Sequence, residues 1–84
     1  MDKKLNDIEF VFNTWSEEIT NDEFAETLGR RLKEINKEIT ISAKNDVFTI
    51  KYHEIYKKKI LEEIENYSGG FFNIFKSTIR YIDN

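Results

Sequence analysis

His53 is the one histidine in the 84-residue chain, so any search for catalytic or metal chemistry starts there. The carboxylates that follow it most closely in sequence are Glu54 and the group Glu62, Glu63 and Glu65. A metal ion needs ligands converging at fixed geometry. On a helix, Glu62, Glu63 and Glu65 point in three directions, and none converges on His53. General acid–base catalysis needs paired groups in a cleft, whereas the acids here are spread along amphipathic segments. A Ser or Thr nucleophile would have to use His53 as its base, and the strained elbow G-x-S-x-G is absent. The chain has no cysteine, which removes disulfides, thiolate catalysis and Cys-ligated zinc. Ser68-Gly69-Gly70 stands before an apolar segment, but the phosphate-loop pattern G-x-x-x-x-G-K-S/T is missing and no strand leads into the glycines. The residues therefore predict a non-enzymatic chain with no metal, no cofactor and no small-molecule substrate, and His53 as a partly buried structural residue.

Charge offers binding rather than catalysis. Residues 1–29 carry two lysines against eight acids, residues 30–59 nine Lys/Arg against four, and residues 60–84 two against four, for a total of −3. Arg30, Lys33 and Lys37 fall on one exposed side of a predicted helix. Lys44 and Lys51 fall on the polar side of a predicted hairpin and could extend that stripe toward nucleic acid or an acidic partner. Lys57-Lys58-Lys59 is a weaker patch, because consecutive residues on a helix diverge by ~100° each. A helix followed directly by a hairpin resembles the recognition helix and wing of winged-helix folds. That likeness covers less than half the chain, and only one helix is predicted before it where winged helices have two. The acidic N-terminal third could instead meet a basic partner.

Apolar residues exceed what a narrow core seam needs. Phe71, Phe72, Phe75 and Tyr81 lie in a segment whose apolar residues cover about half a helical wheel, where ~100° would serve one core contact. Phe10 falls on the far side of a predicted first helix. These five aromatics form the candidate protein interface, since aromatics anchor interfaces.

The elements that would position these groups follow from periodicity. Ile8, Val11, Phe12, Trp15 and Ile19 fit a helix, while Ile8, Phe10 and Phe12 also alternate as a strand would. The longer, helical pattern is preferred. Thr20 and Glu23 make a T-x-x-E capping box opening a helix to about Asn36, with Phe24, Leu28, Leu32 and Ile35 on one stripe. Glu38–Ala43 and Val47–Tyr52 alternate around Asn45-Asp46, which predicts a hairpin with a two-residue type I′ turn. That register pairs Ala43 with Phe48, Ile41 with Ile50 and Ile39 with Tyr52. Residues 53–67 read as a third helix ended by Ser68-Gly69-Gly70, and about 71–82 as a fourth.

The expected fold is thus one α+β domain over residues 1–84, α-α-β-β-α-α, with helices covering a central antiparallel hairpin. The alternative is β-α-β-β-α-α with a three-stranded sheet. At this length only ~60–65% of the unfolded surface is buried. The absence of Cys and of any long apolar run leads to the expectation of a cytoplasmic protein without a membrane span. The leading functional expectation is a protein–protein interaction module, such as a small inhibitor, immunity-type or adaptor protein. Its partner would be another protein or a second copy in a homodimer, with nucleic-acid binding as the alternative.

Overall fold

The computed structural model describes residues 5–83. Its elements are β1 (Asn6–Val11), α1 (Asn21–Ile35), β2 (Thr40–Lys44), β3 (Val47–Tyr52), α2 (Lys57–Ser68), the single-turn α3 (Phe72–Phe75) and β4 (Arg80–Ile82). Short 3-10 turns at Glu54–Tyr56, Gly69–Phe71 and Lys76–Thr78 link the later elements. The strands form one antiparallel sheet in the order β2-β3-β1-β4. With α1 and α2 as its crossovers, this is the split β-α-β topology. The class is α+β, as the sequence predicts, with four strands in place of two or three.

The hairpin carries the predicted register, Ala43 opposite Phe48 and Ile41 opposite Ile50. Its ladder opens at Thr40–Lys51, so Ile39 lies just outside it while remaining buried. The turn differs from expectation. Only Asn45 has positive φ (55°), where a type I′ turn needs it at both central residues. Thr20 caps α1 as predicted, its side-chain oxygen accepting from the Glu23 N–H at 3.2 Å. Gly69 ends α2 with φ 55°, a conformation glycine adopts at little cost.

Two predicted helices are not formed. Residues 6–11 are the strand β1 rather than a helix, and this is the physical reason that Phe10 had no place on a helical wheel. In the strand, Ile8 and Phe10 share the core face with Ile50 and Phe48 opposite them. The supposed fourth helix is one turn of α3, followed by extended backbone from Ile79 and the strand β4. The β-branched and aromatic run Ile79–Ile82 favours a strand, and the free edge of β1 offers it hydrogen bonds. Its wide apolar wheel reflects a segment in which only Phe72–Phe75 are α-helical, the rest being 3-10 turns and strand.

Opposed residues of antiparallel strands share a face. Ile8, Phe10, Phe48, Ile50 and Tyr52 meet Phe24, Leu28 and Leu32 of α1 and Ile60 and Ile64 of α2 in one buried cluster. The helices therefore lie on a single face of the sheet. The other face is polar and cross-braced: Lys51 pairs with Asp7 at 3.3 Å and Arg80 with Glu9 at 3.5 Å. Among the described residues no helix is long and apolar enough to cross a membrane.

Candidate protein-binding site

The loop between β1 and α1 is tied down by its own polar side chains. The Phe12 N–H donates to the Asp46 carbonyl at 2.8 Å, so the hairpin turn receives the chain as it leaves β1. The Asp46 carboxylate accepts from the Asn13 amide at 2.9 Å. Asn21 works in both directions: its Oδ1 accepts from the Thr14 N–H at 3.0 Å, and its Nδ2 donates to the Asn45 carbonyl at 3.1 Å. The Thr14 hydroxyl donates to the Ile19 carbonyl across the loop. Ser16 Oγ accepts from the N–H groups of Glu18 and Ile19 at 3.1 and 3.2 Å. Asn, Thr and Ser fold backbone locally in this way because their short side chains reach it within a few residues.

This frame holds Trp15 outward. Its backbone has φ 53°, a left-handed conformation that costs an L-residue roughly 1–2 kcal/mol. The Trp15 N–H donates to Asn13 Oδ1 at 2.8 Å, which helps to fix it. The side chain is 88% exposed. Ile19 and Phe71 are each nearly half-exposed, and with Thr14, Ser16, Phe24 and Tyr67 they line a groove of about 300 Å³. Glu17, Glu18, Asp22 and Glu23 are exposed within the same stretch. None of the four forms an ion pair among the described residues.

The five aromatic candidates divide. Phe10 and Phe75 are fully buried, their rings stacked with centroids 4.4 Å apart, and Phe48 lies 4.9 Å from Phe10 on its own centroid. Both belong to the core and cannot touch a partner in the folded chain. Phe72 is partly buried, edge-on to Phe75 at 5.5 Å. Phe71 remains a surface residue and lines the groove with Thr14 and Ser16, the residues on either side of Trp15. Tyr81 is 47% exposed on β4, remote in sequence from that loop, with the Lys57 ammonium 4.1 Å above its ring. It borders a second, more polar groove of about 500 Å³ with Phe72, Leu61, Lys58, Glu62 and Lys76.

The cationic candidates do not form one stripe. Arg30 pairs with Glu26 at 3.2 Å. Lys33 donates to the Ile39 carbonyl at 3.0 Å, next to the exposed Lys37. Lys44 and Lys51 lie on the helix-free face of the sheet, at opposite ends of the hairpin ladder, and Lys51 is held by Asp7. The sheet stands between the two groups.

His53 follows β3 in extended backbone, ahead of α2 rather than on its apolar side. Its Nε2 is buried 3.3 Å from Glu38 Oε1, without hydrogen-bond geometry. Glu38 is the carboxylate that sequence proximity missed, brought there by the hairpin. Among the described residues no three His, Asp or Glu side chains gather as a metal site.

Trp15 and Ile19 belong to the helical pattern predicted from the sequence, whereas the structure exposes both in a loop. The signal that separates them is the run Asn13-Thr14-Trp15-Ser16, whose turn-forming residues break helical continuity. Compared with known protein families, with curated proteins and with solved structures, the chain matches none of them.

Proposed function

We propose that this chain is a non-enzymatic protein–protein interaction module that binds through the Trp15 loop. The observation that carries this reading is an 88% exposed tryptophan held in left-handed backbone by a hydrogen-bonded loop. Keeping such a ring in water and its backbone under strain lowers stability, which points to use elsewhere. Covering it with a partner removes roughly 200 Å² of mostly apolar surface, about 5 kcal/mol on area bookkeeping. Because the loop is already ordered, less entropy is lost on docking than with a mobile segment. An inhibitor, an immunity-type protein or an adaptor would each use such a surface.

The test is affinity capture from the native host with wild-type and Trp15→Ala baits, both treated with nuclease. The reading expects a protein retained by the first bait and lost from the second. Retention that nuclease abolishes would transfer the role to nucleic-acid binding. That second reading has weaker support, because Arg30 and Lys51 are paired with carboxylates and the cations face different sides.

A further inference from the structure

We infer that the partner presents a basic segment, an apolar side chain flanked by Lys or Arg, to the groove beside Trp15; this rests on the Trp15 loop being the interface. The groove supplies an apolar seat between Ile19, Phe24 and Phe71. The acidic residues that neighbour its lining residues in sequence supply the sign. Glu17 and Glu18 lie between two groove residues, Ser16 and Ile19, and Asp22 and Glu23 directly precede a third, Phe24. All four carboxylates are exposed and lack a cationic partner among the described residues. Elsewhere many charges are already matched: Arg30 with Glu26, Arg31 with Glu63, Lys51 with Asp7 and Arg80 with Glu9. Asp22 and Glu23 lie in the first turn of α1, whose N-terminus favours their charge. Glu17 and Glu18 have no such partner among the described residues, and an opposite charge on the bound protein answers them.

The same acidic residues disfavour other occupants. A second copy docked by a two-fold axis through this face would set the same four carboxylates against themselves. Anionic lipid headgroups and nucleic-acid phosphates are repelled for the same reason. A flat apolar partner would cover Trp15 but leave the carboxylates partly desolvated and unpaired, which is costly.

The experiment selects a displayed library of random peptides against the intact folded protein. Enriched peptides should carry an apolar residue with flanking Lys or Arg. Their binding should weaken about tenfold between low salt and roughly 0.5 M sodium chloride, and about tenfold or more in Trp15→Ala. The combined Glu17→Gln and Glu18→Gln variant should weaken it several-fold, and circular dichroism and melting should show both variants folded. Trp15-dependent peptides that are neutral or acidic, or indifferent to Glu17→Gln/Glu18→Gln, would overturn the basic partner while leaving the interface standing. Failure to obtain any Trp15-dependent peptide would overturn both. Trp15-dependent dimers in light scattering would instead assign the face to a second copy. Trp15-dependent binding to phosphatidylglycerol vesicles would assign it to lipid.

Discussion

The Cγ2 methyl of Ile41 lies 2.8 Å from where a β-carbon on Gly29 would stand, so α1 and the edge strand β2 touch at a position with room only for hydrogen. Alanine there gains up to ~1 kcal/mol of helix propensity, but the overlap costs roughly 1–3 kcal/mol. Ile41 yields little, because Cγ2 hangs directly on a stiff, β-branched Cβ. Gly29→Ala should therefore be destabilising by about 1 kcal/mol in urea melts. In an Ile41→Ala background the sign should reverse, and a double-mutant cycle reads that coupling.

Phe75 and Phe71 are close in sequence and opposite in role. Removing the Phe75 ring takes a stacked neighbour from Phe10 and should cost about 3–5 kcal/mol. That is a large share of the roughly 4–13 kcal/mol expected for a chain this long. Phe71→Ala, at a half-exposed position, should stay within about 1 kcal/mol. Guanidinium melts separate the two, and equal losses would place Phe71 in the core as well.

Asn21 joins the Trp15 loop to the hairpin turn through Thr14 and Asn45. Asn21→Ala should cost about 1–2 kcal/mol and free the loop. Amide exchange at Thr14 and Trp15 should accelerate, and Trp15 fluorescence anisotropy should fall. Unchanged anisotropy would mean that the remaining side-chain bonds suffice to hold the ring.

Tyr52 gives the chain an alkaline limit. Its phenol is pushed up to about 12, first by burial and then by the Glu54 and Asp83 carboxylates. The folded state thus keeps a proton that the unfolded chain releases near pH 10. The resulting stabilisation is complete below that pH and is lost as pH rises toward about 12, because the unfolded state then binds fewer protons than the folded one. Thermal melts of wild type should fall through this window, and Tyr52→Phe should fall less steeply. Parallel slopes would assign the decline to other groups.

The hairpin and α1 were legible because several local signals agree there: alternation, turn residues, a capping box and one apolar stripe. The ends were not. Val11, Trp15 and Ile19 complete a helical pattern with Ile8 and Phe12, yet all three are substantially exposed. Only Ile8 and Phe12 of that set are buried, and they belong equally to the strand pattern with Phe10. Periodicity cannot choose between two patterns that share residues. The choice came from the edges of the sheet: β3 needed a second neighbour, and β1 then had room for β4. Such pairings are invisible in a local window. The exposure of Trp15 is hidden by the same overlap, since a helical pattern shared with Ile8 and Phe12 groups it with residues that are buried. The cationic stripe fails differently: Lys44 and Lys51 do lie on the polar face of the hairpin, but α1 with Arg30 and Lys33 packs on the other.

Strand β1 is the first element of the fold, yet it occupies an interior place in the sheet. Its side chains wait for partners far along the chain: Asp7 meets Lys51 across 44 residues, and Glu9 meets Arg80 across 71. Just ahead of β4, the Thr78 hydroxyl accepts from the Val11 N–H, 67 residues away. Contact order is therefore high for so short a chain, and folding belongs to the slower, loop-closing regime rather than that of helical bundles. During synthesis one edge of β1 stays open until Arg80–Ile82 has emerged. For that interval Ile8 and Phe10 border an unpaired strand, the form in which chains most readily associate wrongly.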